Sequence, residues 1–262
     1  MIATYLARSV RSEATKVGGR NPLWYAVIPA AVLLPLALNF GIAEAAAANV
    51  IQGAGGMDTD NAAYWVLVFS TFILMSAGVS ALGAEFKDRT AETVFGIQPR
   101  RRLLPIAELA VFGLISAAVT FATTFVLLGV FPRLFPTIWG RVDAFSPEGI
   151  RLLICVPIVT VAVCALGLGV AAFVPKPALV VTIVLLWKFG IEVFVTFVPG
   201  TLGTTLQRLS PFKNAELGAG QLSTIKTLFG GPDGSLLYFV VLCLAIFVLG
   251  TIRLSRREPN TD

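Results

Sequence analysis

Six stretches of the chain run almost free of charge for about the length a helix needs to cross a bilayer, and the polar residues collect between them. They lie at about 23–43, 62–84, 109–131, 152–174, 178–198 and 236–252. This pattern predicts an all-α integral membrane protein with six transmembrane helices in residues 23–253. Pro29 and Pro35 in the first stretch and Pro157 in the fourth predict kinks. Spans tolerate such prolines when neighbouring groups satisfy the carbonyls they free. Pro175-Lys176-Pro177 separates the fourth and fifth stretches and predicts a tight hairpin, because proline blocks a continuous helix. The first stretch is longer than the roughly 7–15-residue core of a signal peptide, so it reads as an uncleaved span.

The flanking segments are more varied. Residues 1–22 form a basic piece in which Leu6, Val10, Ala14 and Val17 share one helical face and Arg8, Arg11, Ser12 and Lys16 lie elsewhere. That suits an amphipathic helix at the lipid interface, broken at Gly18-Gly19. Between spans two and three, residues 85–102 read as a short amphipathic helix. Phe86, Thr90, Val94 and Ile97 fall on one side, and Glu85, Asp88, Arg89 and Glu92 on the other. Gln98-Pro99 ends it, and Arg100, Arg101 and Arg102 follow. The loop 199–235 places Leu202, Leu206 and Leu209 on one helical face, which predicts a short re-entrant or surface helix within a connector. Residues 254–262 form a tail.

Composition narrows the class. At 56% hydrophobic and 13% charged residues, the chain is too apolar for a soluble domain, which carries about 25% charge. The net charge of +5 does not call for nucleic acid, since most basic residues flank the spans. There is no histidine, which excludes Ser-His and Cys-His catalysis and His-containing zinc sites. Cys155, Cys164 and Cys243 lie in apolar runs without a CxxC and read as small buried residues. No phosphate-binding loop, nucleophile elbow or dinucleotide fingerprint is present. No catalytic residue, metal site or bound cofactor is therefore expected, and the chain is not expected to hydrolyse nucleotide alone.

Basic residues set the orientation. With a cytoplasmic N-terminus, thirteen Lys and Arg fall inside and six outside, with Lys188 in the membrane. The 44–61 loop has none. A multi-pass protein of the cell membrane with both termini cytoplasmic is expected. Lys188 and Glu192 then lie one turn apart inside the fifth span. Ionisable residues at that depth cost about 2.5–3.5 kcal/mol each on insertion scales, which pairing offsets in part. Two readings of this intramembrane pair stand open: a polar lining for a translocation path, or an ion pair that fixes helix packing.

Glu85, Thr90 and Pro99, followed by Arg100–Arg102, resemble the E-x4-T-x8-P-x-x-R signature of the type-two ATP-binding-cassette (ABC) transporter permeases. The six spans, the basic N-terminal helix with Glu13 and Lys16, and Leu209-Ser210-Pro211 before the last span are also similar to that family. Arg89 and Glu108 depart from it, standing where glycine and lysine are common. The resemblance implies an export permease that forms its path as a dimer with a second permease copy. It makes residues 85–102 a coupling helix docked on a separate ABC ATPase subunit. The interface would comprise Glu85, Phe86, Asp88, Arg89, Thr90, Glu92, Val94, Phe95, Ile97, Pro99 and Arg100–Arg102, with ATP and Mg held by the partner. Membrane lipid is the other expected contact. The competing reading is an ATP-independent carrier or assembly scaffold.

Overall fold

A computed structural model describes residues 2–48, 56–87, 102–174, 176–222 and 227–256. Among the described residues the fold is entirely helical. Helix α1 (Ile2–Lys16) precedes α2 (Leu23–Ala47), α3 (Thr59–Glu85) and α4 (Leu103–Leu134). A single turn, α5 (Pro136–Trp139), leads to α6 (Pro147–Phe173) and α7 (Pro177–Val195). Two short helices, α8 (Gly200–Leu209) and α9 (Pro211–Ala219), precede α10 (Pro232–Arg256). Helices α2, α3, α4, α6, α7 and α10 are each long and apolar enough to span a membrane. They correspond in order to the six predicted stretches. The third is the most extended relative to expectation: α4 begins at Leu103, which draws Glu108 into the helix.

Helix α6 is the centre of the bundle, packing on α3, α4 and α10. Its buried face is rich in small residues, among them Ala162, Cys164, Ala165, Gly167 and Ala171, which allow close backbone approach. Helix α7 lies against α3 and α6, and α10 packs on α6 and α9. The three cysteines are free and buried, as their setting in apolar runs predicts.

Pro35 shows how a span absorbs a proline. It removes the amide that would bond the carbonyl of Ala31, and the Ser70 hydroxyl of α3 donates to that carbonyl at 2.6 Å. Three spans also carry π-helical turns, at Leu23–Val27, Val66–Ser70 and Leu186–Ile191. The last of these holds Lys188. A widened turn changes the angular offset between Lys188 and Glu192, so i,i+4 stacking of the ordinary α-helix does not apply there.

Candidate functional site

Paired charged side chains are concentrated at the two ends of the bundle. At the α1 end, Lys16 Nζ donates to Glu13 Oε1 at 2.7 Å and to Glu85 Oε1 at 2.6 Å. The second contact joins the N-terminal helix to the last turn of α3. Burial raises the Glu13 carboxyl above its ordinary range, against the opposing pull of Lys16. Burial by itself would lower the Lys16 ammonium, but its bonds to Glu13 and Glu85 prevail and raise it. The end of α1 is closed by side chains: Asn21 Nδ2 donates to Lys16 O and Trp24 Nε1 to Val17 O, leaving Gly19 to turn the chain at φ 65°. Val17, Leu23, Val111 and Phe112 form a small separate core beneath it.

The buried stripe of α1 differs from the apolar stripe read from its sequence. Ser9, Glu13 and Val17 are buried, Leu6 and Val10 are half-buried, and Ala14 is exposed. The helix is rotated so that Glu13 faces the bundle, where Lys16 serves both it and Glu85. A third carboxyl lies on the same side. Glu108 of α4 is fully buried, and neither of its oxygens has a hydrogen-bond partner among the described residues. It is within electrostatic range of Glu13, Lys16 and Glu85. Nearby, Arg102 Nε donates to Ser255 Oγ at 3.2 Å, tying the start of α4 to the end of α10.

Of the predicted interface, the structure therefore places Glu85 and Arg102 at this end. Asp88, Arg89, Thr90, Glu92, Val94, Phe95, Ile97, Pro99, Arg100 and Arg101 lie outside the described residues, as does the side chain of Phe86.

The other end is organised around α9. Proline at its first position supplies no amide, so two first-turn donors remain, Phe212 and Lys213. Glu192 of α7 takes both: Oε1 accepts from Phe212 N at 2.8 Å and Oε2 from Lys213 N at 3.1 Å. A carboxylate there also complements the helix dipole. The far end of α9 is met by Arg151 of α6, whose guanidinium donates to Gly218 O at 2.9 and 3.2 Å and pairs with Asp233 at 2.7 Å. Between these ends, Lys188 of α7 forms an ion pair with Glu216 of α9, and its ammonium lies 5.7 Å from the centroid of the Phe212 ring. Burial lowers the ammonium of Lys213, partly offset by Glu192 and Glu216.

The proposed Lys188–Glu192 pair is thus corrected. Both residues are in α7, and Glu192 is buried, but each has its direct partner on α9 instead. The π-helical turn carries Lys188 toward Glu216, and two amides at a helix start are better matched to a carboxylate than a single ammonium is.

Asn214 completes the junction. Fully buried, it donates to Arg208 O and Ser210 O at 2.8 and 2.9 Å, closing α8, while Thr227 donates to its Oδ1 at 3.3 Å. Sequence reasoning missed Arg151, Asn214 and Glu216. The available signal was Ser210-Pro211, a helix start with proline at its first position, which would have put Glu216 on a second helix rather than in a connector. Compared with known proteins, the chain matches no family model, no curated protein and no solved structure.

Proposed function

We propose that this chain is the permease subunit of an ATP-driven ABC exporter, working as a dimer and driven by separate ATPase subunits at the α1 end of the bundle. On this reading that end is cytoplasmic, α1 rests at the inner interface of the cell membrane, and residues 85–102 form the coupling helix. The observation that carries the reading is the link from Lys16 to Glu85. Glu85 begins the motif-like segment, and a half-buried contact ties it to the N-terminal helix, so a push on that segment would reach α1 and α3 together. Support for a second permease copy comes from α7, whose Leu186, Trp187, Phe189 and Phe194 are exposed apolar side chains.

The mechanism needs two states whose balance nucleotide can shift. ATP and Mg would be held by the partner, whose closure moves the coupling segments and opens a path between permease copies. The α9 junction then gives the opposite end of α7 a rigid attachment, so displacement of α7 carries α9 with it.

The test is to purify the chain with its bound partners and measure ATPase retention and substrate movement. The chain alone should show no ATPase activity. Apolar anchors dominate most interfaces while rim charges tune rate, so Phe86→Ala or Phe95→Ala should weaken coupling more than Asp88→Ala. If the complex contains no ATPase and transport proceeds without ATP, an ATP-independent carrier replaces this reading.

A further inference from the structure

Helices α7 and α10 both lean on α6, and a cavity of about 270 Å³ lies between them. Phe212 of α9 closes one end, while Val170, Val184, Leu242, Cys243 and Ile246 contribute to its walls. Such a lining holds no water, because a buried water needs two to four polar partners. An empty space of this size would forfeit packing along every wall. All three walls belong to membrane-spanning helices, so the medium beside the cavity is hydrocarbon.

The walls lead toward two cations at the α1 end. Arg253 is exposed, and its guanidinium lies 5.1 Å from the centroid of the Phe173 ring, one turn beyond Val170. It follows Ile246 on the same face of α10, about 10 Å further along the axis. Lys176, also exposed, immediately precedes α7 at the same end. From Arg253 to Cys243 is about 15 Å along the helix, which is about half the hydrocarbon thickness of a bilayer. A lipid with its phosphate at the level of Arg253 would therefore lay one chain along the cavity as far as Cys243.

We infer that the cleft between α7 and α10 binds an anionic phospholipid of the leaflet at the α1 end. One acyl chain fills the cavity, and the headgroup phosphate is held by Arg253 and Lys176. The two ends differ in the right sense: a wholly apolar slot for the chain, and cations where an anionic headgroup would sit. This site does not depend on the exporter reading, since it requires only the bundle and a bilayer.

The experiment uses the full chain, with the partners that co-purify, reconstituted in phosphatidylcholine vesicles. Trace phosphatidylglycerol or phosphatidylcholine carrying a photoactivatable group midway along one chain is cross-linked, and the adducts are mapped by mass spectrometry. The phosphatidylglycerol probe should label the peptides containing Leu242–Ile246 and Val184 several-fold more than the phosphatidylcholine probe. Arg253→Gln with Lys176→Gln should remove that excess. Leu242→Trp, which fills the cavity from α10, and Val184→Phe, which fills it from α7, should each cut labelling several-fold while retaining the thermal midpoint. Using two fillers from different helices guards against one of them simply misfolding. Equal labelling by the two probes, labelling indifferent to both fillers, or cross-links at these positions between two copies of the chain would overturn the inference.

Discussion

The two polar ends of the bundle handle buried charge in opposite ways. Around α9 the charged groups that face the bundle have partners, Glu192 taking two amides, Lys188 having Glu216 and Arg151 having Gly218 O and Asp233, and the buried side chain without a hydrogen bond among the described residues is a neutral one, Gln221. Around α1 one ammonium is shared between two carboxylates, and Glu108 is left with no hydrogen bond among the described residues. A satisfied buried network holds one arrangement rigidly, whereas a partly satisfied one stores a cost that another arrangement can release. The α9 end therefore has the character of a fixed joint, and the α1 end that of a contact able to change.

That contrast can be broken by substitution. The largest effect is expected from Glu216→Leu, which leaves the Lys188 ammonium without its ion pair beside the apolar bundle. Removing one member of a fully buried pair costs about 3–5 kcal/mol, and this partly buried pair should lose a large part of that, so the midpoint of thermal unfolding in detergent should drop. Lys188→Met with Glu216→Leu should recover much of the loss, because the uncompensated charge is gone. An unaltered midpoint in the single variant would mean the joint is not rigid.

Next come two substitutions of opposite sign. Glu192→Ala strips the acceptors from the Phe212 and Lys213 amides, and each buried donor left unsatisfied costs about 1–3 kcal/mol. Glu108→Leu removes two oxygens that have no hydrogen-bond partner among the described residues, so it should stabilise the fold by about 1–3 kcal/mol and raise the midpoint. If Glu108→Leu is as destabilising as Glu192→Ala, the α1 end is no less satisfied than the α9 end and the contrast disappears.

The smallest effect is at Lys16, whose side chain is 41% exposed, so its pairs belong to the weak surface class. Lys16→Ala should cost only about 0.2–1 kcal/mol of global stability. Its signature is local: amide exchange in α1 should accelerate while α6 is unaffected. The pH dependence follows from the raised Lys16 value. A group raised in the folded state contributes fully below its unfolded value, here 10.5, and loses that contribution as pH rises through the folded value. Exchange in α1 should therefore accelerate above about pH 10.5 in the wild type and show no such step in Lys16→Ala. The raised Glu13 value has the same sign at lower pH, so docking of α1 should weaken slightly as pH climbs from the acid range through it.

Much of the architecture was legible because a bilayer imposes a simple rule. Backbone polar groups in hydrocarbon must be satisfied within the helix, so long charge-free runs become spans regardless of their neighbours. The six stretches, the break at Gly18-Gly19 and the separation of α6, ending at Phe173, from α7, beginning at Pro177, all follow from local chemistry. The helix within 199–235 was also visible at Leu202, Leu206 and Leu209, although that face is exposed rather than docked.

The partners of the charged residues were not local. Glu192 meets the amides of residues 212 and 213, Lys16 meets Glu85, and Arg151 meets Gly218 O. Nothing within one turn of each residue specifies these pairings, and the nearest opposite charge to Lys188 proved not to be its ion-pair partner. The sequence by itself determined that Lys188 and Glu192 lie in a span and therefore need compensation, because desolvation penalises an ionised side chain wherever the chain folds. Only the tertiary structure decided what supplies it: packing brings α9 against α7, offering Glu192 the free amides of a helix start and Lys188 a carboxylate. The burial of Glu108, whose oxygens have no hydrogen bond among the described residues, was likewise decided by packing, since burial on α4 depends on how α1 and α3 close around it.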